Sequence, residues 1–287
     1  MSGSWSRSFD CFDLAVTDGI ARLHLNRTDK ANSLSLSFWR DLPDALARLD
    51  QSGDVRVLVV SAEGKVFCGG LDLAVFQSAP VLQARNPVMR QGLYDTVLAM
   101  QDALTAFERA RFPVIAAVQG PCIGGGLDLV AACDVCLASE AASFRIEETN
   151  LGMMADLGTL QRLPRLIPSG AARLLALTGE TLSAAEAFRL GLVSRLYADG
   201  DALSTGAADV ARRIADRSPL AIWGTKRSML YARDHGVPQA LDHAAALQSA
   251  ILNGGDILRS IDARSRSSVP DFPGLWDKSS DNPSSDQ

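Results

Sequence analysis

Three apolar-rich runs constrain this chain more than any other feature: 55–60 (Val-Arg-Val-Leu-Val-Val), 114–118 (Val-Ile-Ala-Ala-Val) and 135–138 (Val-Cys-Leu-Ala). Runs with so little polar alternation fit strands covered on both faces, and such strands belong to parallel sheets whose crossover connections are helices. The sequence between them supplies the helices. Trp39, Leu42, Leu46 and Leu49 recur at three- and four-residue steps, and Leu93, Val97, Met100, Leu104 and Phe107 form a second stripe that stops before Pro113. Upstream, the hairpin dipeptide Asp18-Gly19 precedes Ala21, Leu23 and Leu25 alternating with Arg22 and His24, so the chain opens on a β-hairpin. Gly120 to Gly126 turns the chain into a helix beginning near Leu127. This rhythm predicts a layered α/β core.

From about Ser183 the pattern becomes alanine-rich and helical without evident strands, and beyond Ala263 it is polar, proline-broken and aperiodic. We therefore expect a core over 10–205, a helical C-terminal region over 206–263 and a loose tail over 264–287. A net charge of -5 gives no global attraction for nucleic acid. The five cysteines lack a disulfide-framework spacing and read as free thiols, and Cys133-x-x-Cys136 has no second ligand pair to complete a metal site. Met1 to Phe12 lacks a charged-then-apolar leader, no stretch of 18 apolar residues occurs, and the ending Ser-Ser-Asp-Gln is not a peroxisomal Ser-Lys-Leu address. A cytoplasmic protein off the membrane is expected.

Two glycine-rich turns follow strands: Gly64 to Leu73 (Gly-Lys-Val-Phe-Cys-Gly-Gly-Leu-Asp-Leu) and Gly120 to Leu129 (Gly-Pro-Cys-Ile-Gly-Gly-Gly-Leu-Asp-Leu). Glycine lets main-chain N–H groups approach a ligand, and two such groups aimed at one point stabilise a developing oxyanion. Neither turn has the spacing of a phosphate loop or a dinucleotide fingerprint. Downstream, Asp128, Glu147, Glu148 and Asp156 lie among Leu127, Leu129, Leu151, Met153, Met154 and Leu157, a setting that desolvates carboxyl groups and suits them to proton transfer near neutrality. Each acid also has a plain reading as a cap or surface charge, and Glu147 has the opposite strand parity to Glu148. His24, His235 and His243 are far apart in sequence, with no serine elbow or metal-spaced carboxylate beside them.

Leu25-Asn26-Arg27, Lys30-Ala31-Asn32-Ser33-Leu34, Phe67-Cys68-Gly69-Gly70-Leu71-Asp72-Leu73 and Cys122-Ile123-Gly124-Gly125-Gly126 resemble, in order, the signature blocks of the crotonase (enoyl-CoA hydratase/isomerase) superfamily. The resemblance runs from about Asp10 to Ala263. It implies an α/β fold, a crotonase-like spiral of ββα units, with a helical C-terminal oligomerisation region that builds homotrimers or homohexamers. It implies an acyl-CoA thioester substrate, no separate cofactor, no metal, and an oxyanion hole from the amides of Leu71 and Gly125. Lys30, helped by Arg27, would meet the coenzyme-A phosphates, with Lys226 a weaker candidate.

Within the family, the acids at Asp128 and Glu148 are spaced like the two glutamates of hydratases. Asp156 stands where hydratases have glycine, and that resembles the Δ3,5-Δ2,4-dienoyl-CoA isomerase pattern, in which Asp128, Glu148 and Asp156 would all line the acyl pocket. The implied reaction converts a 3,5-dienoyl-CoA into a 2,4-dienoyl-CoA. An enoyl-CoA hydratase is the alternative, and a noncatalytic acyl-CoA- or RNA-binding scaffold a further one.

Overall fold

The computed structural model describes residues 4–75 and 85–275. Strands β1 (Trp5–Ser8), β2 (Phe12–Thr17) and β3 (Ile20–Leu25) form an antiparallel meander. Helix α1 (Leu36–Ser52) then leads to β4 (Val57–Ala62), and α2 (Pro87–Arg109) to β5 (Val114–Val118). From β3 onward the large sheet is parallel, in the order β1-β2-β3-β4-β5-β7-β10, where β7 is Val135–Ser139 and β10 is Arg195–Tyr197. A second sheet of three short strands holds β6 (Pro121–Ile123), β8 (Ser143–Arg145) and β9 (Leu182–Ser183). Consecutive strands β5 and β6, and again β7 and β8, are divided between the two sheets, with α3 (Gly125–Ala131) following the first pair. This is the ββα spiral that the resemblance implies.

All five residues of β5 are buried, as a strand covered on both faces requires. One face of the large sheet packs on α1 and α2 through Leu42, Leu46, Leu104 and Phe107. On the other, Val57, Val59, Ile115 and Leu137 meet Leu203, Ala207 and Ala211 of α7 (Gly200–Ala215). Helices α4 (Thr159–Leu166), α5 (Ser169–Thr178) and α6 (Ala184–Leu190) close the far end of the core. Then come α8 (Pro219–Asp234), α9 (Val237–Ile251) and α10 (Gly254–Ser265), and α9 buries no residue within the single chain.

Three expectations need correction. The region after Ser183 does contain a strand, β10, whose parallel register on β7 puts it at the sheet edge. Three residues reading Arg-Leu-Tyr are too short to show a period. The helix expected near Leu127 already begins at Gly125, because the glycines supply its first turn. The loose tail is also too broad. Helix α10 runs to Ser265, Phe272 is buried, Arg56 Nη2 donates to the carbonyls of Phe272 and Pro273, and Leu275 N–H to Gly53 O. Residues 264–275 thus return to the core, and the remainder of the tail lies outside the described residues.

Candidate active site

The two glycine turns converge. Leu34 and Leu71 form an isolated parallel bridge, as do Cys68 and Cys122, so the loop after β4 is stitched to β6 and α3. Gly70, at φ +88°, makes the approach possible: a Cβ there would stand 2.8 Å from Ile123 O and 3.3 Å from Gly125 N. The Leu71 amide nitrogen lies 3.5 Å from where a Cβ of Gly125 would sit. The bridge uses Leu34 N–H to Gly70 O and Asp72 N–H to Leu34 O, which leaves the Leu71 N–H out of the ladder. Gly125 opens α3, where a helical N–H has no intrahelical acceptor. Among the described residues neither N–H has an acceptor, and the two are neighbours in space.

Two acids stand beside them, and a third lies on the segment bonded to one of these. Asp128 is one turn into α3 and only 1 % exposed, and its Oδ1 accepts the Thr159 N–H at 2.6 Å. Burial pushes its carboxyl up to about 6, and the charge of Asp156 adds to the push. Glu148 begins a single 3-10 turn after β8, and its Oε1 lies 2.9 Å from a Cβ built on Gly124, the residue before the Gly125 amide. Burial, then the charge of Asp128, raises it to about 7. Asp156 lies on the segment leading into α4 and is also raised by burial. It lines, with Gln101, Thr105 and Arg162, a cavity of about 360 Å³. Carboxyl groups tuned in this way exchange protons near neutral pH.

The structure separates the remaining candidates. Glu147 is not on a strand: β8 ends at Arg145, whose guanidinium pairs with Glu147 at 2.5 Å, and Asn150 Nδ2 donates to it. Arg27 is occupied internally, donating to Ser33 O at 2.7 Å and to Asp72 Oδ2 at 3.0 Å, so it clamps the 27–34 loop to the 64–73 turn. Lys30 is exposed at the rim of that loop. Lys226 cannot reach coenzyme A: it is 7 % exposed, and its ammonium donates to Phe107 O, Phe112 O and Asp134 Oδ2. His24 bonds Ser61 on the neighbouring strand, while His235 and His243 stack on the two faces of Tyr231. Cys133 Sγ donates to Leu129 O, and all five cysteines are free.

Sequence reasoning missed several supports. Asn32 is buried, and its amide donates to Glu63 O and Val66 O, fixing the other side of the loop. Gln101, Thr105 and Glu108 brace the segment that carries Asp156. Their signal was a polar stripe at i, i+4 and i+7 along a helix read only for its apolar face.

The enoyl-CoA hydratase/isomerase family profile matches residues 15–271. The chain belongs to that family. It is 42 % identical over 260 residues, 89 % of this chain and 93 % of the relative, to a peroxisomal Δ3,5-Δ2,4-dienoyl-CoA isomerase of Arabidopsis thaliana. It is 36 % identical over 247 residues, 85 % of this chain and 75 % of the relative, to the mitochondrial dienoyl-CoA isomerase of Homo sapiens. Among solved structures, an enoyl-CoA hydratase from Bacillus anthracis superposes with a TM-score of 0.83 at 29 % identity, over 92 % of this chain and 99 % of that one. These isomerases are peroxisomal and mitochondrial, which overturns the cytoplasmic expectation. Absence of a recognisable address was a weak argument, since short targeting signals leave no trace in composition. No helix among the described residues is long and apolar enough to cross a membrane.

Proposed function

We propose that this chain is a Δ3,5-Δ2,4-dienoyl-CoA isomerase that moves a proton from C2 to C6 of an acyl-CoA thioester. The observation that carries the reading is the third acid: Asp156 lies three residues before Thr159, whose N–H bonds Asp128 on the helix opened by Gly125, while Glu148 stands beside Gly124. The likeness to proteins named as dienoyl-CoA isomerases over most of the chain supports it.

Glu148, whose Oε1 lies beside Gly124, takes the C2 proton of the thioester held at the paired amides. The C2–H electron pair passes into the thioester, and the oxygen, as it gains charge, is held by the Leu71 and Gly125 N–H groups. Asp156, protonated, delivers a proton to C6, and the two double bonds come to rest at C2–C3 and C4–C5. Asp128, held by Thr159, is the polar partner of the pair. One proton is lost and one gained, so the reaction needs no redox cofactor. Lys30 is placed to meet coenzyme-A phosphate. The apolar face of α9, with Leu241 66 % exposed, supports a homotrimer or homohexamer, because patches of this kind are covered by other subunits.

The test is incubation with a synthetic 3,5-dienoyl-CoA while following the ultraviolet absorbance of the conjugated 2,4-dienoyl thioester. Growth of that band supports the isomerase. Its absence together with hydration of a 2-enoyl-CoA would favour a hydratase built on Asp128 and Glu148.

A further inference from the structure

Asp156 is the acid that the isomerase reading depends on, and it is the one least held by its own side chain. Among the described residues no other side chain bonds its carboxyl. Its position is set through the main chain. Gln101 Nε2, on α2, donates to Asp156 O at 2.6 Å, and Arg162 Nη1 donates to Leu157 O at 3.3 Å. Arg162 is itself fixed, with its Nε 3.0 Å from Glu108 Oε1 and its Nη2 3.1 Å from Thr105 Oγ1. The same guanidinium fills the space beside Gly158 that a Cβ would need. Gln101, Thr105 and Glu108 lie on one face of α2, so this helix grips the Asp156 carbonyl directly and the Leu157 carbonyl through Arg162 of α4.

We propose that Gln101 is the positioning residue of Asp156: by holding the Asp156 carbonyl it fixes the direction in which the carboxyl projects, and so acts on proton delivery and not on thioester binding. This rests on the isomerase reading. The Asp156 carboxyl accepts its own main-chain N–H, which restrains rotation about the Cα–Cβ bond, so rotation about the bond between Cα and the carbonyl carbon is left to swing the carboxyl away. The Gln101 bond restrains that rotation directly, whereas Arg162 acts one residue further on. A displacement of about 1 Å at a proton-transfer group costs up to roughly 10²-fold in rate.

The test uses the full chain and 3,5-dienoyl-CoA. Gln101→Met keeps side-chain length and helix propensity but removes the donor. It should lower kcat about 10- to 100-fold with KM within about twofold of the parent. In an Asp156→Asn background the same change should cost nothing further, because its route of action is already gone. Gln101→Glu donates only when protonated, so its activity relative to the parent should climb as pH falls, whereas that of Gln101→Met stays flat. This second variant carries the test if the methionine form fails to fold. Parental kcat in Gln101→Met, an additive loss in the Asp156→Asn background, or a flat pH ratio for Gln101→Glu would each overturn the inference while the isomerase reading stands. A parent chain that forms no conjugated diene would overturn both.

Discussion

The Thr159 N–H donates to Asp128 Oδ1 across 2.6 Å, joining the helix that begins at Gly125 to the one that begins three residues after Asp156. This bond favours the ionised carboxylate, yet burial outweighs it and leaves Asp128 near 6. One main-chain donor is too little for a carboxylate that is 1 % exposed.

That balance has a consequence for stability. A carboxyl whose folded value lies above its unfolded one costs stability once it must ionise, so the cost is absent below about pH 4 and complete above about pH 6. Asp128→Asn retains an oxygen for the Thr159 N–H and has no charge to bury. At pH 8 the variant should be more stable than the parent by on the order of 2 kcal/mol, a rise of roughly 5 °C in Tm, with no difference at pH 3.5. Thermal unfolding at the two pH values checks this, and an equal shift at both would dissociate the effect from ionisation.

Gly125→Ala addresses the paired amides. The new Cβ would meet Leu71 N at 3.5 Å and Leu34 Cδ1 at 3.7 Å, ordinary contacts that the fold accommodates. The methyl would nonetheless crowd the space between the two amides, where the thioester oxygen must come. Turnover of 3,5-dienoyl-CoA should fall by roughly 10²-fold or more at nearly parental Tm. Steady-state kinetics beside a melting curve separates a blocked oxyanion hole from a damaged fold.

The two lysines singled out from sequence should part company. Lys226→Met leaves the Asp134 carboxylate with the Val114 N–H alone and strips the Phe107 and Phe112 carbonyls of their ammonium donor, a loss of about 1 to 3 kcal/mol with coenzyme-A affinity unchanged in the folded fraction. Lys30→Ala should leave Tm alone and weaken acyl-CoA binding about threefold at low ionic strength, an effect that fades in salt. Calorimetric titration at two salt concentrations, together with thermal melts, decides both.

What the sequence made legible follows the range of each interaction. The buried strands at 57–62, 114–118 and 135–139 and the helices bearing Leu42 and Leu104 were readable because period and burial are local properties. The glycine turns were readable as places of close approach, and Leu71 and Gly125 do lie side by side. Lys226 was misread, since a lysine on a helix shows nothing of the carbonyls of Phe107 and Phe112, more than a hundred residues away, that surround it. Arg27 was expected from the family resemblance as a helper of Lys30 at the coenzyme-A phosphates, and its bond to Asp72, 45 positions on, was not visible in the sequence. Gln101 showed only as part of a polar stripe and Arg162 not at all, because their task is to hold carbonyls, and a carbonyl carries no residue identity.

Asp156→Asn is the substitution on which isomerase and hydratase diverge. Asparagine keeps the shape of the side chain and the Gln101 bond to the main chain, but it neither gives nor takes a proton at the pH of the assay. Positioned acids and bases supply about 10²- to 10⁴-fold, so the appearance of the 2,4-diene should slow by roughly that factor while KM stays nearly constant. As the acid at C6, Asp156 is neutral in the active form, just as asparagine is. As the base at C2, Glu148 must be ionised, so kcat/KM of the parent should climb as pH rises through about 7. In Asp156→Asn this limb should stay near 7, because asparagine replaces a neighbour that is already neutral in the active form. Residual activity measured from pH 5 to 9 contains both answers. A variant with the parental rate would reduce Asp156 to a structural carboxyl, and a limb that moves to lower pH would mean that Asp156 is ionised in the parent and is not the proton donor.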